Sequence, residues 1–285
     1  MSRLKYNQLT MMLSNHKEKI NPTILIADSG VGGLSIYNEV KKRLPRACYI
    51  YLFDNIAFPY GEKPEAFIVK RVLWIINKIW THHKIDLVIL ACNTASTIAL
   101  SILRKTFSCP IIGVVPAIKT AVQLTHNGHI GLLATNATIK SNYTHNLIKK
   151  YASHCQILQL GTAELVKITE AKLHGKLVPL SALRNILNPW ISAKKPPDTI
   201  VLGCTHFPLL KMELQMVLKK GTILVDSGSA IARRACWLAA HNIDYETSNL
   251  QSRRVNKAYC LTITPDVLDL IPTLIYYGFN SLEEL

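Results

Sequence analysis

Two cysteines stand where this chain could do proton chemistry. Cys92 follows the run Asp86-Leu-Val-Ile-Leu-Ala91 and precedes Asn93 and Thr94; Cys204 follows Thr199-Ile-Val-Leu-Gly203 and precedes Thr205 and His206. A short apolar, β-branched-rich run ending in a small residue reads as a buried parallel strand. In open α/β sheets, ligands bind in the crevice outside the carboxyl ends of the strands, so both thiols fall where sites form. A thiol with an ordinary pKa of ~8.5, lowered near a helix N-terminus or an imidazolium, reaches either protonation state near neutral pH. Two thiols across one cleft could then act as base on one side and acid on the other. Inverting a carbon centre by proton transfer needs that arrangement. Asp28, after the strand Ile24-Leu-Ile-Ala27, could assist the first thiol, and His206 could tune the second. Ser29, Asn93, Thr94 and Thr205 are short hydrogen-bonders at strand-to-helix turns, where backbone N–H groups favour carboxylates, and they suit an amino-acid substrate.

Other readings compete. A lone strand-end cysteine is more often a small buried hydrophobe than a catalyst, and the pairing is what raises these two above it. Cys92, Cys204 and His206 could converge as three zinc ligands, but Cys-x-His is an uncommon chelating spacing and no second pair supports it. A Cys-His hydrolase would leave the other cysteine turn unexplained. Gly30-Val31-Gly32-Gly33 suggests a dinucleotide turn, yet the third glycine of that fingerprint would fall at Ser35, and no Gly-Lys-Ser/Thr follows for a phosphate loop. Asp226, before Ser227-Gly228, reads as a turn or N-cap residue.

The elements that must carry these residues alternate regularly. Strand 24–27, the glycine-rich turn and a helix over 34–43 are followed by strand Cys48–Phe53, a turn at Phe58-Pro59-Tyr60-Gly61, an amphipathic helix over 65–84 and the first cysteine strand. A helix from Ala95 and a strand over 110–115 lead to Pro116, where the pattern restarts with strand 130–134, Thr135-Asn-Ala-Thr138, strand 156–160, helices from Ala163 and Ser181, and the second cysteine strand. Asp28 precedes Cys92 by nearly the interval at which Thr135 precedes Cys204, as an internal duplication would leave. The expectation is an α/β protein of two similar halves with mainly parallel sheets and a cleft between them. Residues 1–21 are read as an N-terminal extension, 22–115 with 222–285 as the first domain, and 116–221 as the second.

Bulk composition is consistent with this. The 285 residues, 49% of them hydrophobic, suffice for two cores. No apolar run reaches the ~18 residues of a membrane span, and Leu9-Thr-Met-Met-Leu13 is too short for a secretory core. Seven cysteines, odd in number, scattered and without Cys-x-x-Cys, point to a reducing compartment and a cytoplasmic protein. The formal net charge of +15 is dispersed over groups such as Lys41-Lys42-Arg43 and Arg253-Arg254. Without an aromatic-interleaved basic stripe, it argues for attraction of acidic metabolites over nucleic acid.

Together, Asp28-Ser29-Gly30-Val31-Gly32-Gly33-Leu34, Pro59-Tyr60-Gly61, Ala91-Cys92-Asn93-Thr94-Ala95 and Gly203-Cys204-Thr205-His206-Phe207-Pro208 resemble the glutamate racemase family, from about Thr23 to the C-terminus. The glycine-rich motif with Pro-Tyr-Gly looks like the glutamate branch, not aspartate racemase. The resemblance implies an enzyme that needs neither cofactor nor metal, with two pseudosymmetric α/β domains, Cys92 and Cys204 as the acid/base thiols, and Asp28 and His206 as their assistants. It implies that Ser29, Pro59, Tyr60, Gly61, Asn93, Thr94 and Thr205 hold glutamate. Leu165-Val-Lys-Ile-Thr-Glu170 is similar to the family segment that contributes an assisting glutamate, which would be Glu170. The implied role is supply of D-glutamate for bacterial peptidoglycan. The Phe58–Lys63 version of the turn resembles an enterobacterial-type subgroup activated by a UDP-muramoyl-alanine precursor. A homo-oligomer is left open.

Overall fold

The computed structural model describes residues 22–241 and 255–285; the expected extension at 1–21 lies outside the described residues. Strand β1 (Thr23–Asp28) alternates its side chains between two cores, Ile24 and Ile26 on one face and Leu25 and Ala27 on the other, as the two-residue period of a strand demands. Helix α1 (Leu34–Arg43), β2 (Cys48–Phe53), α2 (Glu65–His82), β3 (Leu87–Leu90), α3 (Asn93–Thr106) and β4 (Ile111–Gly113) continue the alternation of strand and helix. The second half repeats it. It comprises α4 (Ile118–Leu124), β5 (His129–Ala134), α5 (Asn136–Lys140), α6 (Asn142–Tyr151), β6 (Gln156–Gly161), α7 (Glu164–Leu173), α8 (Leu180–Ile191), β7 (Thr199–Gly203), α9 (Lys211–Val217) and β8 (Ile223–Val225).

Among the described residues every strand pairing is parallel, and the two sheets share one order: β2-β1-β3-β4 in the first and β6-β5-β7-β8 in the second. The first is widened at the β2 edge by β9 (Lys257–Cys260) and β10 (Ser281–Glu284). Helices cover both faces of each sheet. α1, α10 (Gly228–His241) and the C-terminal α11 (Pro265–Leu268) and α12 (Ile271–Tyr277) close one face of the first sheet, and α2 and α3 close the other. On the second sheet, α7, α8 and α9 face α4, α5 and α6 across the strands. The central strands β3 and β7 are accordingly buried along their whole length, as inner parallel strands must be, while the edge strands β6 and β10 are half-exposed and carry polar residues.

One assignment is corrected. The strand at 223–225, expected in the first domain, pairs with β7 in the second sheet, with Ile223 in register with Thr199 and its N–H donating to the Asp198 carbonyl at 2.8 Å. Three apolar residues suffice to be buried against the exposed edge of β7, and α10 then carries the chain back to the first half. Among the described residues no helix is long and apolar enough to cross a membrane.

Candidate active site

Register brings the chemistry together. Ala27 lies opposite Leu90, and Ala91 N–H donates to the Ala27 carbonyl at 2.7 Å, so Asp28 and Cys92 leave the first sheet side by side. In the second sheet Ala134 lies opposite Gly203, which sets Thr135 beside Cys204. The helix after Cys92 starts at Asn93, two residues before the expected Ala95, because Cys92 is itself the N-cap and its Sγ accepts from Ala95 N–H at 3.5 Å. The thiol also reaches Ser29 Oγ at 3.7 Å. Burial, then the nearby Asp28 carboxylate, push the Cys92 pKa far up and favour the neutral thiol.

Asp28 is buried and addressed by three donors: Ser29 N–H at 2.8 Å, Gly33 N–H at 2.5 Å and, from the other half, Thr205 Oγ1 at 3.2 Å. Burial raises its pKa, while His206 and the backbone donors work the other way. The result is a carboxylate more basic than usual. The glycine-rich turn serves close packing here. A Cβ on Gly32 would collide with His206 Nδ1, and one on Gly30 would lie 2.7 Å from Glu170 Oε1.

Cys204 sits against His206, with Sγ 3.7 Å from Nδ1, and His206 Nε2 lies 2.6 Å from Glu170 Oε1. Glu170, on α7, also accepts from Val31 N–H at 3.2 Å, so it ties the imidazole to the first half's turn. Burial disfavours the charged ring, yet hydrogen bonds to Cys204 and Glu170 and their charges outweigh it and hold the His206 pKa well above its ordinary value. His206 is thus favoured as an imidazolium, set between the Cys204 sulfur and the Glu170 carboxylate. All five residues assigned acid/base or assisting roles thus meet at one cleft.

The residues expected to hold substrate lie at the same strand ends and in the turn after β2. Ser29, Asn93, Thr94 and Thr205 are buried at the strand ends, and Asn93 Nδ2 has no hydrogen-bond partner among the described residues. A cavity of about 340 Å³ touches Asn93, Cys204 and Thr205 but opens toward Glu39, Lys211 and Asp226, and neither Cys92 nor Ser29 lines it. Pro59 leads into one turn of 3-10 helix at Tyr60–Glu62, and Gly61 is so close to Thr135 that a Cβ would lie 2.9 Å from the threonine Cβ. Thr94 Oγ1 meets Thr135 Oγ1 at 2.9 Å and Thr138 Oγ1 at 3.2 Å. These last two residues were not among the sequence candidates. Their signal was present, since Thr135 follows β5 as Asp28 ends β1, but locally Thr135 reads as the N-cap that it also is, accepting from Thr138 N–H.

Comparison with known proteins decides the family. The sequence profile of the family described as Asp/Glu/hydantoin racemase matches residues 32–235. Glutamate racemase of Sodalis glossinidius is 64% identical over 271 residues, spanning 95% of this chain and 93% of that one. The chain belongs to the glutamate racemases. These are isomerases, and the solved members share the fold described above. Escherichia coli glutamate racemase, crystallised with L-glutamate and the activator UDP-MurNAc-Ala, is 55% identical with a TM-score of 0.89, covering 93% of this chain and 98% of that one. The Francisella tularensis glutamate racemase, in complex with D-glutamate, is 26% identical with a TM-score of 0.75, covering 94% and 98%.

Proposed function

We propose that this chain interconverts L- and D-glutamate by proton transfer between two thiols, with Cys204 and Cys92 facing opposite sides of the α-carbon. The observation that carries the reading is the unlike setting of two thiols at like strand ends: Cys92 is held neutral by burial, whereas Cys204 lies against an imidazolium. An imidazolium at this distance can stabilise negative charge that develops on the sulfur. In the L-to-D direction the Cys204 thiolate takes the α-proton, the C–H electron pair delocalises into the adjoining carboxylate, and the Cys92 thiol returns a proton from the other face. The Glu170–His206 pair balances charge at Cys204 as it gains a proton. In the D-to-L direction Cys92 must first be deprotonated, and Asp28, made more basic by burial, is the base beside it.

Asn93 Nδ2, buried without a partner among the described residues, awaits an acceptor, and a substrate carboxylate supplies one. Ser29, Thr94, Thr205 and the Pro59-Tyr60-Gly61 turn complete the cradle, with Thr135 and Thr138 added from the second half. No step draws on a cofactor or metal. The product supplies D-glutamate to peptidoglycan in the cytoplasm. Likeness to the E. coli enzyme crystallised with UDP-MurNAc-Ala supports activation by that precursor. Circular dichroism of EDTA-treated protein with L-glutamate tests the reading: the signal decays to zero if it holds. Conversion that appears only after zinc or pyridoxal phosphate is added would overturn the mechanism.

A further inference from the structure

We infer that Asp54 and Arg71, which none of the roles above employs, are positioning residues that fix the Pro59-Tyr60-Gly61 turn for the substrate. The inference rests on the reading that this turn holds glutamate. Asp54 is fully buried just past the end of β2, where its N–H donates to the Asp28 carbonyl at 3.2 Å. Its carboxylate is therefore carried on the strand next to the one that presents Asp28. Arg71, reaching in from α2, grips it with both prongs of the guanidinium, Nε to Oδ2 at 2.7 Å and a terminal nitrogen to Oδ1 at 2.8 Å. The same two oxygens accept Ala57 N–H at 3.1 Å and the Tyr60 hydroxyl at 2.8 Å. Four donors on two oxygens saturate the carboxylate, and the chain from 54 to 60 is wound around it.

Two consequences follow from this geometry. Burial and the Asp54 charge keep the Tyr60 phenol protonated, and its proton is committed to Asp54. The turn is thus left to meet a ligand with its backbone and ring, and its placement is set by the pair. Gly61, at the far end of the turn, abuts Thr135 of the second half, so the pair also sets where the turn meets the opposite wall of the cleft. The charge matters as well. A bare carboxylate buried beside a site for a dicarboxylate would repel the substrate, and the forked arginine neutralises it, as a lysine point charge would do with less directional control.

Contacts to a part of the substrate whose charge does not change during α-proton transfer act equally on ground and transition states, so losing them raises KM and leaves kcat. The test is steady-state racemisation of both isomers by wild type, Arg71→Met, Arg71→Lys and Tyr60→Phe, with thermal melting of each. Arg71→Met is expected to raise KM about tenfold for both isomers, the scale of losing a hydrogen bond to a charged group, with kcat within about threefold. Arg71→Lys recovers part of the loss. Tyr60→Phe, which removes one oxygen, raises KM several-fold and lowers the melting temperature by only about a few degrees, so the test stands even if Arg71→Met fails to fold. Unchanged KM in folded Arg71→Lys and Tyr60→Phe, or a fall in kcat at constant KM, would overturn the positioning role. Wild-type protein that does not racemise glutamate would instead overturn the functional reading beneath it.

Discussion

Cys92 and Cys204 follow equivalent central strands, but the chain beyond them differs. Cys92 caps a 14-residue helix and receives a backbone N–H from it, with a hydroxyl and a buried carboxylate for neighbours. Cys204 runs into a four-residue 3-10 helix and faces an imidazolium braced by a carboxylate from α7. The strands place the thiols alike, and the flanking groups give them unlike surroundings: a buried carboxylate near Cys92 and an imidazole against Cys204. A duplicated scaffold can therefore carry an asymmetric proton relay, because position is set by strand pairing while proton affinity is set by the groups that pack around each sulfur.

The largest effect should come from removing either sulfur. Cys92→Ser and Cys204→Ser should each lower racemisation at least about 10³-fold, within the range of general acid–base catalysis. The comparison sharpens when elimination of HX from a β-substituted glutamate is followed, since this needs a base and no reprotonating thiol. Cys92→Ser should process the L-analogue and Cys204→Ser the D-analogue; elimination from the same isomer by both would refute the two-thiol assignment.

His206→Gln attacks one side of the comparison and should cost about 10²-fold in the L-to-D kcat. The D-to-L kcat should fall less. Mirror-image substrates fix the equilibrium constant at unity, so kcat/KM must drop equally in both directions, and the asymmetry shows in kcat and KM separately. Stability gives an independent reading. The folded pKa of His206 lies above its unfolded value of ~6.5, so its contribution is complete below that pH and is lost as pH rises through the folded value. Urea denaturation should thus find wild type most favoured over His206→Gln at the acid end of that window. A stability gap that widened with pH would argue for a neutral ring. Gly32→Ala should mimic the kinetic defect from the opposite half, because its Cβ would collide with the imidazole.

Smaller changes complete the series. Glu170→Gln keeps a hydrogen-bonding group near His206 but loses the charge, and about a tenfold loss of kcat is expected from a charge-assisted bond. Full activity would show that the histidine needs no counter-charge. Thr135→Val removes one hydroxyl from the threonine cluster bridging the two halves and should raise KM by about two- to fivefold, since a neutral hydrogen bond contributes ~1 kcal/mol. Isothermal titration with glutamate would report the same ratio if the effect lies in binding.

Much of this was legible beforehand for reasons that are local. Asp226 was read as a turn residue, and its carboxylate does accept Gly228 N–H at 2.9 Å, two residues away. The strands at 48–53 and 199–203 fall where their apolar runs lie, since burial on both faces leaves a continuous signature. The short run Ile223-Leu224-Val225 carried no such information about its destination, because an apolar triplet is equally at home on either sheet's edge. Thr138 and the Asp54–Arg71 pair were equally opaque, since a threonine in a turn and an arginine on an amphipathic helix gain meaning when their partners arrive from other elements.

By itself the sequence determined the alternation of strands and helices, the strand-end placement of both cysteines and the motifs that mark the family, all of which depend on side-chain period and neighbouring residues. The tertiary structure alone decided what surrounds each thiol. Glu170 reaches His206 from 36 residues away, Thr205 reaches Asp28 from 177 residues away, and burial of Cys92 is completed by its packing in the core. Proton affinity depends on desolvation and on charges a few ångströms off through space, and neither is a function of distance along the chain.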